Sequence, residues 1–289
     1  MSASVLHNNR VAIIGLGQIG GSLALAFRER KIFPEIRGYD RDKVLLKIAA
    51  KRRLIGRASE NAINIIRGAD MVFLAIPVRE VIRILPEIAD YLGPETILCE
   101  TGSTKVEILS KVRKLRISNF VGLHPIAGSE KAGMAGWNPD LFQNRIVTLT
   151  ASPGCPGSKA ELIKYVISRI GAKPVLISAE KHDQILSATS HLPYLLSIAL
   201  VNLVLGPTKS SQSKKFLGGA FRDATRVALS SPAVMGDILF SNQRNVVRQI
   251  SVFVSLLKRY QGHLENGNRS RLVHEIVTAK SLRGKARVA

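Results

Sequence analysis

Val11-Ala12-Ile13-Ile14-Gly15-Leu16-Gly17-Gln18-Ile19-Gly20-Gly21-Ser22-Leu23-Ala24-Leu25-Ala26 is the stretch that decides the fold. Four apolar residues read as a buried strand, a Gly-x-Gly-x-x-Gly turn follows, and a helical pattern begins at once. In that spacing Gly15 makes the tight turn, Gly17 opens the backbone to a pyrophosphate, and Gly20 lets helix and strand pack closely, with the helix N-terminus facing the phosphates. Asp40 ends the next apolar run about 20 residues on, where a carboxylate accepts from both ribose hydroxyls of NAD and repels a 2′-phosphate. Arg41 beside it suits either a 2′-phosphate or the face of an adenine, so NAD is expected and NADP is the alternative. The expected cofactor residues are Gly15, Leu16, Gly17, Gln18, Ile19, Gly20, Asp40 and Arg41, joined by Ile76, Pro77 and Thr101 at later strand ends.

Working outward, short apolar runs alternate with amphipathic segments as far as Glu180. Strands are expected at 11–15, 36–39, 71–75, 96–99, 119–123, 146–150 and 173–177, with helices at 20–30, 42–51, 78–91 and 105–115 among the segments between them. Such alternation predicts an α/β fold, a Rossmann-type doubly wound parallel sheet over residues 1–180. Beyond it, 182–205 and 231–263 are long, apolar at helical spacing and free of strand signals, so residues 181–289 are expected to form an all-α domain. Phe216 to Asp223 reads as a Gly-rich turn and Leu272 to Val277 as a last helix.

With 289 residues, 46% of them hydrophobic, the chain can bury a sizeable core. The apolar run from Tyr194 to Gly206 is broken by Ser197 and Asn202 and falls short of the roughly 20 residues that span a bilayer, so no membrane segment is expected. Met1 to Arg10 lacks the apolar centre of a secretory signal, and a cytoplasmic location is expected. Cys99 and Cys155 are too few for a disulfide framework and lie in no metal-ligand spacing; free thiols and no metal site are expected. A net charge of +21 raises the question of nucleic acid. The basic residues are scattered along helices, however, and 5% aromatics are too few for a stacking platform, so no nucleic-acid partner is expected.

Reactive groups come from two neighbouring strand ends. Glu100-Thr101-Gly102-Ser103-Thr104-Lys105 follows one strand and Val121-Gly122-Leu123-His124-Pro125 ends the next, so both face the crevice where ligands bind in such sheets. A neutral His124 can take the proton of a substrate hydroxyl while hydride leaves the same carbon. Ser103 is expected to hydrogen-bond His124 and orient it or the nicotinamide amide, or to cap a helix starting at Thr104. His182-Asp183 opens the first long helix, where Asp183 suits the helix dipole and His182 reads as a cap or packing residue. His7, His263 and His274 read as surface residues.

Five blocks in order resemble the prephenate/arogenate dehydrogenase family of tyrosine biosynthesis. They are Gly15 to Ser22, Thr101 to Lys105, His124-Pro125-Ile126-Ala127-Gly128-Ser129-Glu130, Ser190-His191-Leu192-Pro193, and Gly218-Gly219-Ala220-Phe221-Arg222-Asp223-Ala224-Thr225-Arg226. The resemblance runs from Val11 to about Val254. It implies an NAD(P)-dependent oxidative decarboxylation of a cyclohexadienol dicarboxylate, prephenate to 4-hydroxyphenylpyruvate, with arogenate to tyrosine as the alternative. It further implies His124 as the proton acceptor supported by Ser103, and Arg226 on a substrate carboxylate. His191, Gly219, Ser129, Glu130 and Tyr194 would lie around the substrate, and the helical half would form a homodimer. Tyr194 departs from the second histidine common in prephenate-using members, and Ser231-Pro232-Ala233-Val234-Met235 lacks an aromatic often found there. Both departures bear on the keto or amino group that separates the two substrates. An appended ACT domain or fused chorismate mutase is not expected, so any feedback by tyrosine would act at the active site.

Two competing readings are weaker. A β-hydroxyacid dehydrogenase relies on a lysine in its first long C-terminal helix, and Gln184 to Leu205 holds none. A non-catalytic dinucleotide sensor would need the glycine turn but not His124, Ser103 and Arg226 together.

Overall fold

The computed structural model describes residues 9–127, 133–206 and 215–286. They form two compact units, one reaching to Asn242 and one starting at Gln243.

The first unit is built on an eight-stranded sheet. Its strands are β1 (Arg10–Ile14), β2 (Glu35–Tyr39), β3 (Arg57–Ala58), β4 (Met71–Leu74), β5 (Ile97–Glu100), β6 (Phe120–Pro125), β7 (Ile146–Ala151) and β8 (Lys173–Leu176), in the order β3-β2-β1-β4-β5-β6-β7-β8. Helices α1 (Gln18–Glu29), α2 (Lys43–Lys51), α3 (Ala62–Ile66), α4 (Val78–Ile88), α5 (Val106–Lys114) and α6 (Gly157–Arg169) connect them. Alternate residues of each central strand serve opposite faces. Val11, Ile13, Met71 and Phe73 join Phe27, Leu46 and Ile163 in one core, whereas Ala12, Ile14, Val72 and Leu74 join Val81, Leu85 and Ile108 in the other. The near-continuous apolar strands follow from this two-sided burial.

The sheet departs from the sequence reading in two places. Strand β3 is only two residues long and exposed, too short to give a periodic signal. Strand β7 runs antiparallel to β6, although every other pair is parallel. An antiparallel neighbour needs no helical crossover, and the described part of the β6–β7 connection holds only a 3-10 turn, Gly133–Gly136.

Helix α7 (Ala179–Leu186), a π-helical turn (Ser187–His191) and α8 (Leu192–Leu205) join into one 27-residue helix. By length and composition alone that helix could cross a membrane, because the turns before Tyr194 lengthen the apolar run beyond what the run itself suggests. The turn expected around Phe216 instead starts helix α9 (Gly219–Thr225), with Gly218 as its N-cap. The helix expected over 231–263 is two, α10 (Pro232–Ser241) and α11 (Gln243–Glu265), broken at Asn242. In the second unit α11 packs on α12 (Arg269–Lys285), with Arg259 3.0 Å from Glu275 and a turn at Gly267, φ +63.

The glycine turn is a point of steric constraint. Gly15 has φ +91, and a Cβ there would lie 2.5 Å from Ala75 O; a Cβ at Gly20 would lie 1.9 Å from Gly15 O. At Gly17 a Cβ would meet nothing within 4 Å. Gly15→Ala is expected to cost more than about 1–2 kcal/mol, the left-handed penalty alone, whereas Gly17→Ala should cost under about 1 kcal/mol. Equal urea midpoints for the two variants would contradict this reading of the turn.

Candidate active site

The carboxyl ends of β1, β2 and β4 border a cavity of about 510 Å³ lined by Gly15, Gly17, Asp40, Arg41, Ile76 and Pro77 among others. Its floor is fixed by backbone and side-chain bonds: Gly15 N donates to Tyr39 O at 2.8 Å, and Leu16 N donates to Asp40 Oδ2 at 2.6 Å. No side chain caps the N-terminus of α1. With the open space at Gly17, these amides suit a pyrophosphate, and the Asp40 carboxylate at the next strand end suits a ribose. The residues present therefore fit a dinucleotide. Gln18, Ile19 and Leu16 belong to the same turn, and Thr101 is tied to it through β4, donating its N–H to Leu74 O at 3.0 Å.

Trp137 escaped the sequence reading. Its indole Nε1 donates to Leu16 O at 2.8 Å and to Gly17 O at 3.1 Å, and it fills the space where a Cβ of Gly21 would lie. A lone tryptophan in a polar segment gives no sequence signal for this contact more than a hundred positions back along the chain.

Between β5 and β6 the side chains form a buried polar cluster. Lys105 Nζ is bonded to Glu100 Oε1 and donates to Gly102 O at 2.8 Å, while Gly102 N donates to Glu100 Oε2 at 2.5 Å. Both side chains are about fully buried, at 1% and 0% exposure. Burial pushes the Glu100 carboxyl up and the Lys105 ammonium down, with each partner opposing the shift of the other. The pair shapes the loop that carries Ser103.

His124 stands at the end of β6, partly exposed. Its Nδ1 lies 2.9 Å from His182 Nε2, and His182 Nδ1 lies 2.7 Å from Asp183 Oδ1. Asp183 also accepts from Lys105 N at 2.9 Å and Val106 N at 3.0 Å, so its carboxylate caps α5 from a different helix. Three expectations are corrected here. His124 is paired with His182 rather than Ser103; Ser103 does not cap a helix, since α5 begins at Val106 under Asp183; and Asp183 serves the dipole of α5 rather than of its own helix. His182 and Asp183, both buried, are functional candidates that sequence reasoning missed because their partners are tertiary. Burial, then the charges of Lys105, His182 and His191, push the His124 imidazole well below its ordinary value.

His191 is buried in the π-helical turn. Asn242 Nδ2 donates to Asp183 O at 2.7 Å and lies 3.2 Å from His191 Nδ1, so that ring nitrogen accepts. Burial lowers His191 to about 4 despite Asp183 nearby. Tyr194 is buried one turn further on, while Gly219 and Arg226 lie exposed on α9 and the turn after it, segments that pack on α8. Ser129 and Glu130 lie outside the described residues.

Residues 23–176 match the family described as "Prephenate dehydrogenase, nucleotide-binding domain", and residues 178–278 match "Prephenate dehydrogenase, dimerization domain". The chain is similar to the cyclohexadienyl dehydrogenase of Zymomonas mobilis, 33% identical over 252 residues covering 86% of each chain. It is 31% identical to the prephenate dehydrogenase of Bacillus subtilis over 281 residues, 94% of this chain and 75% of that one. Among solved structures, prephenate dehydrogenase from A. aeolicus in complex with hydroxyphenyl propionate and NAD+ superposes with a TM-score of 0.91 at 28% identity, covering 97% of this chain and 99% of that one.

Imidazoles held neutral by burial make the fold sensitive to acid. The folded-state value of His191 is depressed from 6.5 to about 4, so its contribution is complete above about pH 6.5 and is lost as pH falls toward 4. For His191 alone this is about 3 kcal/mol, at 1.36 kcal/mol per unit. Thermal unfolding should show a melting temperature that drops over this window, and His191→Asn should flatten the drop; an unchanged slope in the variant would count against the assignment.

Proposed function

The chain belongs to the prephenate dehydrogenase family, and on that premise we propose that it catalyses the NAD-dependent oxidative decarboxylation of prephenate to 4-hydroxyphenylpyruvate in tyrosine biosynthesis. The observation that carries the proposal is a partly exposed, neutral His124 at the end of β6, in the same row of strand ends as the glycine turn and Asp40. His124 takes the proton of the ring hydroxyl as C4 becomes a carbonyl. Loss of the ring carboxylate as CO2 then returns an electron pair to the ring, which aromatises to the phenolate, and the proton held by His124 returns to that oxygen to give the phenol. NAD bound in the cavity beside Gly17 supplies the acceptor for the C4 hydride. Ser103, on the loop shaped by Glu100 and Lys105, is assigned to support the hydroxyl or the nicotinamide amide. Arg226 is the candidate for a substrate carboxylate, because a guanidinium offers a charged two-pronged donor. His191, Tyr194, Gly219, Ser129 and Glu130 complete the proposed substrate surroundings.

Arogenate is the second reading, and Tyr194 favours it. A phenol in place of a second imidazole changes the polar partner offered to the substrate side chain, where the keto and amino groups differ. NAD is favoured over NADP because the Asp40 carboxylate would repel a 2′-phosphate.

On this reading the functional boundary lies at 180/181, and the enzyme works in the cytoplasm as a homodimer. Leu200 and Leu203 on α8 and Phe240 on α10 are exposed, and the dimerization-domain match covers them. The same long helix buries His182, Asp183 and His191, whose polar groups are paired within the protein as suits an interior rather than lipid. The exposed apolar residues are accordingly assigned to the partner subunit.

His124→Asn should lower kcat by about 1,000-fold while NAD affinity stays within about 3-fold of wild type. Retained turnover would remove His124 as the base; a wild-type protein that binds NAD but never turns over would favour a sensing role. Asp40→Asn keeps an oxygen for Leu16 N, gives up the acceptor for Asp42 N and removes the charge, and should raise kcat/KM with NADP by about tenfold.

A further inference from the structure

The hydrogen bonds behind His124 have a direction. The Asp183 carboxylate accepts from the amides of Lys105 and Val106, and the proton in its 2.7 Å contact with His182 Nδ1 therefore belongs to the ring. A neutral imidazole that carries its proton on Nδ1 has its lone pair on Nε2. His182 Nε2 faces His124 Nδ1 at 2.9 Å, so His124 donates there and keeps its own lone pair on Nε2.

We propose that His182 and Asp183 are positioning residues for His124, fixing the tautomer that presents Nε2 to the substrate hydroxyl and holding the Nδ1 proton while Nε2 takes the second one. The proposal rests on reading His124 as the base. The rings gain one proton, taken from the substrate hydroxyl: it moves to His124 Nε2, the Nδ1 proton stays shared with His182, and the Asp183 carboxylate offsets the charge that develops. Other groups facing His124 act against or around that charge. Lys105 from the start of α5 and His191 from the π-helical turn oppose it, and Glu100 at the end of β5 is paired to Lys105. The carboxylate behind His182 is thus the compensating group in this cluster. Its place under the α5 N-terminus also pins the direction, because both amides must donate to it.

The test compares two substitutions in the full-length enzyme. In His182→Gln the side-chain oxygen can accept from His124 Nδ1 and the amide can donate to Asp183, so orientation survives. In His182→Phe it does not. His182→Phe should lose about 100-fold in kcat, with KM and NAD affinity within about 3-fold, and the acid limb of kcat/KM should move to lower pH because the protonated ring has lost its acceptor. His182→Gln should recover most of the rate and the original acid limb. Wild-type kcat and acid limb in His182→Phe, or a His182→Gln variant as impaired as His182→Phe, would overturn the proposal. His124→Asn, measured alongside, separates the readings: if it is active the base assignment fails, and if it alone is inactive only the positioning role fails. Should His182→Phe not fold, ring 15N NMR of the wild-type protein decides, with a protonated Nδ1 on His124 supporting the proposal and a protonated Nε2 overturning it.

Discussion

The carboxylate of Asp183 joins parts of the chain that would otherwise be independent. It caps the first amides of α5, so it fixes the loop that carries Ser103, and it holds the His182 ring that meets His124. Through its own backbone carbonyl it also receives Asn242, which in turn contacts His191. A strand end, two helix starts and the π-helical turn are therefore referred to one residue. Every member of such a buried network carries a desolvation cost, which the hydrogen bonds must offset. The Glu100–Lys105 pair, sealed beneath the Ser103 loop, meets the same requirement with a mutual charge and bonds to Gly102.

The same low-polarity setting explains why His124 and His191 stay neutral. Water would stabilise an imidazolium; the core around β5, β6 and α7 does not, and Lys105 adds a like charge. A neutral ring beside an open approach is suited to accept a proton from a hydroxyl, and it needs no metal or second base for that step. The glycine turn is governed by sterics rather than charge. Gly15 and Gly20 admit no Cβ, whereas Gly17 is open, so the turn is rigid where it packs and clear where a phosphate approaches.

What was legible in the sequence was local. The β1 strand, the glycine turn and α1 follow from some fifteen consecutive residues with one meaning, and Asp40 sits at the next strand end, where spacing alone places it. His124 was legible because a histidine at the end of an apolar run is unusual. Its partner was not, since His182 lies 58 positions away and looks like any residue in the first turn of a helix. Strand order and direction were equally hidden: nothing in the composition of β7 says that it turns against β6. The long helix misled in another way. Its apolar run starts at Tyr194, but about four further turns with buried acid and imidazole groups precede it, and only the three-dimensional join shows them as one element.

Turnover by the purified wild-type protein tests the central claim most directly. Reduced-nicotinamide absorbance would be followed after mixing with prephenate or arogenate and with NAD or NADP, in all four combinations. The account predicts a clear rate with NAD and a cyclohexadienol substrate, with CO2 released in step with the reduced nucleotide. Silence in all four combinations from a protein that still binds NAD would contradict it.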